Sequence, residues 1–503
     1  MFKNHPKGLL AAALANMGER FGFYTMMAIL SLFLMAKFGL SGTHAGIIYS
    51  IFYFSIYVLA FVGGLIADKT KKYKFTILVG LVLMAIGYFI IAIPTGSPIP
   101  EDKFVSLLAL TCFGLFVIAF GNGLFKGNLQ AIVGQMYDNP QYSKMRDSGF
   151  QWFYMFINVG AIFAPLAAVG VRNWWVESHG FIYNAKLPEA CHAFLKGTDT
   201  PQLAQMAADA GYTGTDLSAF SYEYLGLFAT GFHYAFAVAI IAMAISLTIY
   251  LVNKNKFPDP ANKVKHASDA PAVEMSVQEI KQRIYALFAV FAVVIFFWFS
   301  FHQNGLTLTY FAKDYTDLSK INIDLGFMKL VGAELFQSVN PFFVVFLTPI
   351  IIAFFSWLKA KNIEPSTPKK IAIGMFIAAL GFVVMTLGSF ALPLKQDVIN
   401  GAEFQLVTPM LLIGTYFILT VAELFISPLG ISFVSKVAPP QYQGMMQGLW
   451  LCATAIGNQL LFIGAIFYDS IPIWATWTIF VVACLLSMGV MLFMLKWLER
   501  IAK

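Results

Sequence analysis

Five ionisable residues stand inside apolar stretches that ought to exclude them: Glu19, Arg20, Lys126, His302 and Glu423. A charge at the centre of a membrane helix costs roughly 2.5–3.5 kcal/mol on insertion scales, so such residues line a cavity or pair with one another. Two cations and one acid in the first half of the chain face one acid in the second. A cavity between the halves would be bipolar, with cationic donors for a carboxylate at one end and an acceptor for an ammonium at the other. A free amino acid or a short peptide has this charge pattern. Glu19 and Arg20, as neighbours, can also pair locally. Lys126 has apolar residues on both sides and lies too deep for easy snorkelling, and Glu423 has no cationic neighbour in its own helix.

The stretches that must position these residues dominate the chain. Of 503 residues, 59% are hydrophobic and 12% charged, whereas a soluble domain carries about 25% charged residues. The composition predicts a membrane protein. A span needs about 20 mainly apolar residues, and such runs fall at 8–36, 46–66, 75–94, 104–136, 148–171 and 230–253, then at 284–312, 336–359, 370–393, 407–435, 445–467 and 472–497. The longest must tilt or protrude. The prediction is an all-α membrane protein of twelve transmembrane helices in two six-helix bundles, 1–253 and 284–503, joined by a polar linker at 254–283. Within that linker, Ser276-Val277-Gln278-Glu279 has capping-box spacing and predicts a helix running on into span seven. A second polar insertion, 172–229, contains Trp174, Trp175 and several acids, and reads as either a small external cap or a flexible loop.

Lysine and arginine in the loops give the orientation. With both termini cytoplasmic, 22 of the 33 cations fall on the cytoplasmic side and 9 outside, while 15 of the 26 acids fall outside. That asymmetry predicts cytoplasmic termini and linker, an external insertion and a cell-membrane location. It also accounts for the net charge of +7 without a nucleic-acid partner. Met1 to Gly8 runs straight into the first apolar stretch with no small-residue cleavage site, so that stretch reads as a retained span. Cys112, Cys191, Cys452 and Cys484 show no paired spacing, which argues against a disulfide framework or zinc site. An enzyme or receptor reading finds no metal-ligand spacing, paired intramembrane aspartates, Ser/His dyad or soluble effector domain. No metal or cofactor is expected, and membrane lipid is the only macroscopic partner implied.

At these residues the chain closely resembles the proton-coupled oligopeptide transporter family of the major facilitator superfamily. Span one carries Glu19-Arg20-Phe21-Gly22-Phe23-Tyr24, similar to the family's E-R-F-x-Y-Y, and Gly63-Gly64-Leu65-Ile66-Ala67-Asp68-Lys69 looks like the superfamily's cytoplasmic loop signature. Span four has Gly121-Asn122-Gly123-Leu124-Phe125-Lys126. Span five has Phe153-Tyr154-Met155-Phe156-Ile157-Asn158-Val159-Gly160, similar to F-Y-x-x-I-N-x-G. Further matches are Gln337-Ser338-Val339-Asn340-Pro341, Glu423-Leu424-Phe425-Ile426-Ser427-Pro428, Gly448-Leu449-Trp450 and Gly457-Asn458. The ordered set spans both halves.

The resemblance implies that Arg20 and Lys126 hold a peptide carboxylate, with Tyr24 and Tyr57 lining that end. Asn340 and Glu423 would hold the ammonium, with Ser427 nearby, and Asn158 would bond the peptide backbone. Trp298 and Trp450 would form apolar walls. The chain departs from the family pattern at Asn16, where a glutamate completes E-x-x-E-R, at Met27, often an arginine, and at His302, often a glutamate. The last two form a charge pair in many members. Both are absent here, as expected when a lone partner would be an uncompensated charge. Proton coupling is therefore expected to run through Glu19, helped by His302, whose side-chain type ordinarily titrates near neutrality. The function implied is proton-driven import of di- and tripeptides by a monomer, through alternating access about a midplane site. The alternative is a facilitator or exchanger for another amphiphilic or anionic solute.

Overall fold

The computed structural model describes residues 5–137, 139–142, 145–198, 200–258, 275–439 and 442–502. Six long helices make the first half: α1 (Leu9–Phe38), α2 (Gly42–Thr70), α3 (Tyr73–Ala92), α4 (Glu101–Met136), α5 (Arg146–Ser178) and α8 (Leu217–Asn253). Between the last two lie short helices α6 (Leu187–Leu195) and α7 (Leu203–Asp209). The second half contains α9 (Val277–Phe301) and α10 (Thr307–Tyr315), then α11 (Val339–Ala360) and α12 (Thr367–Gly388). It continues with the short α13 (Lys395–Ile399), α14 (Pro409–Val437), α15 (Gln443–Gln459), α16 (Leu461–Ser470) and α17 (Ile473–Ala502). Twelve stretches are long and apolar enough to cross a membrane, with α9–α10 and α15–α16 each forming one span in two pieces.

Each helix start reflects local chemistry. Ser41, Asp216, Ser276 and Thr408 accept hydrogen bonds from backbone N–H groups of the first turns of α2, α8, α9 and α14, satisfying donors that a helix end leaves unpaired. The expected start at Ser276 is found. Residues 259–274 of the linker lie outside the described residues. Large apolar side chains such as Phe89, Ile241, Phe346 and Phe493 stay exposed, as suits surfaces solvated by lipid tails.

The 172–229 insertion is a correction. α5 runs on to Ser178 and α8 begins at Leu217, so the true connection is shorter, and of the two alternatives it is the cap. Helices α6 and α7 pack through buried Leu187, Cys191, Leu203 and Ala207. The spans outrun the bilayer, and hydropathy reports only the part within it.

On the side of this cap the halves are tied together. The Tyr310 hydroxyl donates to Gly42 O at 2.9 Å, and Thr43 donates through N and Oγ1 to Asp469 Oδ2 at 2.9 and 2.8 Å. Asn173 Nδ2 donates to the carbonyls of Lys329 and Val331, anchoring the small hairpin of β1 (Ile323–Asp324) and β2 (Lys329–Leu330). Beside it Arg172 forms an ion pair with Glu334, both side chains fully buried. On the cap, Glu189 Oε2 accepts from Lys313 Nζ at 2.6 Å and Lys395 Nζ at 3.2 Å, and Lys395 also meets Asp314 Oδ2 at 2.9 Å. Three acids and three bases thus share one buried region. Burial alone would push the Glu189 carboxyl up, but the two lysines outweigh it and hold it well below the usual carboxylate range. Burial opposes the charge on Lys395 in the same way, and Asp314 and Glu189 reverse that, raising it above the ordinary lysine range. These charges read from sequence as external loop residues.

Candidate functional site: a bipolar cavity between the halves

Two close helix approaches aim the cationic wall. A Cβ on Gly63 of α2 would stand 2.2 Å from Gly123 O, and one on Gly123 would stand 2.4 Å from Leu59 O. Only glycine at both positions lets α4 come this near α2. One turn beyond Gly123, Lys126 Nζ then lies 4.9 Å from the centroid of the Tyr57 ring on α2, within cation–π range. Along α1, Arg20 Nε and Nη2 donate to Glu19 Oε2 and Oε1 at 2.5 and 2.6 Å, and Asn122 Nδ2 adds a third bond to Glu19 Oε1 at 2.6 Å. The neighbours pair locally, as their adjacency allows. Arg20 still reaches the cavity wall, with its guanidinium 4.6 Å from the centroid of the Phe23 ring.

The acidic wall belongs to the second half. Asn340 Nδ2 on α11 donates to Glu423 Oε2 and Thr420 Oγ1 on α14, each at 2.9 Å. The Thr420 hydroxyl in turn donates to Tyr416 O at 2.7 Å, which fixes its lone pairs toward Asn340. Among the described residues, neither Lys126 nor Glu423 forms an ion pair. The cavity therefore presents one uncommitted cation and one uncommitted acid.

Between these walls lies an empty volume of about 1320 Å³. Arg20, Tyr24, Tyr57, Lys126 and Asn158 line it from the first half, and Trp298, His302, Asn340, Glu423 and Ser427 from the second. Asn158 Nδ2 donates to Tyr154 O at 3.2 Å within its own helix. His302 Nδ1 bonds Asn458 Oδ1 at 2.5 Å, and its ring stacks on Trp298 with centroids 4.8 Å apart. Tyr53 of α2 approaches the same imidazole at 5.0 Å, an uncharged contact between the halves. Met27 also lines the cavity.

Two expected residues sit elsewhere. Trp450 does not line this cavity. Its indole packs against Phe291 at 6.2 Å and covers Gly430, where a Cβ would lie 2.0 Å from the ring, so it packs helices together. Glu19 is fully buried behind Arg20. Asn122, Thr420, Tyr53 and Asn458 escaped sequence reasoning as individual participants, although Asn122 and Asn458 sit within quoted motifs.

The POT family model (PTR2) matches residues 74–273 and 261–473. Peptide transporter YePEPT of Yersinia enterocolitica is 30% identical, across 91% of this chain and 87% of the relative. Dipeptide and tripeptide permease B of Xenorhabdus bovienii is 25% identical across 99% of this chain and 97% of its own. Among solved structures, that of peptide transporter POT in complex with sulfate superposes with a TM-score of 0.72 at 24% identity, covering 100% of this chain and 96% of that one. That likeness supports a two-bundle fold of the major facilitator type. With twelve apolar spans and a family model matched across both halves, this chain is an integral membrane protein of the POT family.

Proposed function

We propose that this protein imports di- and tripeptides together with protons, its halves 1–253 and 284–503 rocking about the cavity while the linker 254–283 joins them. The observation that carries this reading is the opposition of Lys126 and Glu423 across one cavity, each uncommitted and each from a different half. A zwitterion of peptide length satisfies both at once. Relatives named as peptide transporters and permeases support the substrate class. Arg20, Tyr24 and Tyr57 complete the carboxylate end, and Asn340 and Ser427 the ammonium end. Asn158 serves the peptide backbone, and Trp298 forms a wall for varied side chains. Glu19, with His302, carries the proton.

The protein works as a monomer in the cytoplasmic membrane with both termini inside. Exposed Lys196 on the cap and exposed Lys71 after α2 test that orientation. As cysteine variants in intact cells, the first takes up an impermeant thiol reagent and the second does not. The functional test is uptake of a labelled dipeptide into proteoliposomes under an imposed pH gradient. Accumulation that follows the gradient supports the reading. Equilibration regardless of the gradient favours the facilitator, which the absence of carboxylate and guanidinium at Asn16 and Met27 would suit.

A further inference from the structure

We infer that Asn122 is the positioning residue of proton uptake, holding Glu19 in both of its protonation states. The inference rests on the reading of Glu19 as proton carrier. It begins from a shortage: with Asn16 in place of a carboxylate, Glu19 is the one acid of α1, and it is fully buried. A buried acid that gains and loses a proton needs a donor when ionised and an acceptor when neutral. A fixed set of donors serves only the ionised form.

Asn122 supplies both from one amide. Its Nδ2 donates to Glu19 Oε1 at 2.6 Å, which suits the carboxylate. Its Oδ1 is buried and, among the described residues, has no hydrogen-bond partner. Once Glu19 holds a proton, rotation of the amide turns Oδ1 toward the new O–H. The bond to Glu19 is then kept with donor and acceptor exchanged, and the proton lies between Glu19 and Asn122 Oδ1. Leucine cannot do this, and an arginine or lysine could serve only the ionised form.

The surroundings suit the same exchange. Arg20 bonds both Glu19 oxygens, and Lys126 and Tyr24 lie within its electrostatic reach. From α3, Tyr88 stands close enough to feel both Glu19 and Arg20. Its hydroxyl is likewise buried with no partner among the described residues, a second polar atom able to follow a change in Glu19. When a substrate carboxylate draws Arg20 toward the cavity, Asn122 is the polar partner that stays with Glu19, because α4 holds it from the opposite side.

The test compares two activities of the full-length protein in proteoliposomes: pH-driven accumulation of labelled dipeptide, and counterflow exchange at equal pH on both sides. Asn122→Leu keeps approximate size but neither polar role. Accumulation is expected to fall at least about tenfold more than counterflow does, and uptake is expected to lose its dependence on external pH. Asn122→Ser, whose hydroxyl donates and accepts, is expected to recover most of the gradient response. If Asn122→Leu accumulates like wild type, or loses both activities in equal proportion while Asn122→Ser behaves alike, the inference fails. Glu19→Gln separates the two levels. Accumulation surviving in Glu19→Gln overturns the proton-carrier reading itself. Accumulation lost in Glu19→Gln but intact in Asn122→Leu overturns only the role of Asn122.

Discussion

Arg172 and Glu334 form an ion pair across the two halves, with both side chains shut off from solvent. Arg172 also donates through Nε and Nη2 to Asn173 Oδ1 at 3.1 and 3.0 Å, and it lies 4.3 Å from the Tyr183 ring centroid and 5.2 Å from that of Phe232. Opening the cavity on this side, the outer one in the proposed orientation, requires this contact to separate. Removing one member leaves an uncompensated buried charge, at a cost of about 3–5 kcal/mol. That penalty falls on the outward-closed state, since outward opening lets water reach the orphan. Glu334→Gln is therefore expected to favour the outward-open state. A cysteine at cavity residue Met27 should label faster from outside in Glu334→Gln than in the otherwise wild-type background. Arg172→Met combined with Glu334→Leu removes both charges and should return labelling toward the starting rate.

Glu189 gives the outer closure a defined pH behaviour. Its folded carboxyl is held well below the ordinary range, so its contribution is present above the ordinary carboxylate value and lost only as pH falls through the depressed one. Lys395 is raised, so its contribution is complete below the ordinary lysine value and is lost only in strong alkali. Both windows include the interval from about pH 5 to 8. External acidification in that interval should leave the closure intact, and labelling at Met27→Cys from outside should not change with pH. Glu189→Gln leaves Lys313 and Lys395 facing each other with one acid fewer, and should raise labelling throughout that interval.

The bipolar cavity predicts which substrate end each residue reads. C-terminal amidation or N-terminal acetylation of a dipeptide should each weaken binding about tenfold or more, since a charge-assisted hydrogen bond contributes roughly 1.5–3 kcal/mol. Lys126→Ala should become nearly indifferent to amidation while still rejecting the acetylated peptide. Glu423→Gln should show the converse. Competition against a labelled dipeptide measures all four combinations. Unchanged discrimination in both variants would reduce Lys126 and Glu423 to structural residues.

Much of this arrangement was legible before any coordinates, for a physical reason. Against an apolar background a single lysine or glutamate is conspicuous, and Lys126 and Glu423 stood out because the bilayer makes them costly. The outer ionic cluster gave no such signal. Glu189, Lys313 and Lys395 sit in or beside polar connections, where charges are ordinary, and Glu189 lies 124 and 206 positions from its two partners. Trp450 failed differently. An aromatic in an amphipathic span can face cavity or neighbour, and which it faces depends on helix rotation, fixed here by the bare backbone of Gly430. The Glu19–Arg20 pair was foreseeable as an alternative. Its third partner, Asn122, required knowing how α4 docks on α1.

Energy coupling gives the last prediction. Asn16 and Met27 cannot exchange protons, so the proposed route uses Glu19 in the first half with His302 on the opposite wall of the cavity. A peptide carboxylate that engages Arg20 competes with Glu19 for the guanidinium. Glu19→Gln mimics the protonated state permanently and should abolish accumulation against a gradient. His302→Gln keeps a side chain able to bond Asn458 but removes an ionisable ring, so it should shift the pH profile of uptake without flattening it. Asn16→Glu supplies a second acid one helical turn before Glu19 and should steepen the dependence on the gradient. Uptake rates over a pH series, with and without an imposed gradient, measure all three variants. Concentrative, pH-driven uptake persisting in the Glu19→Gln, His302→Gln double variant would rule out this route, because neither of its two proton-carrying groups would remain.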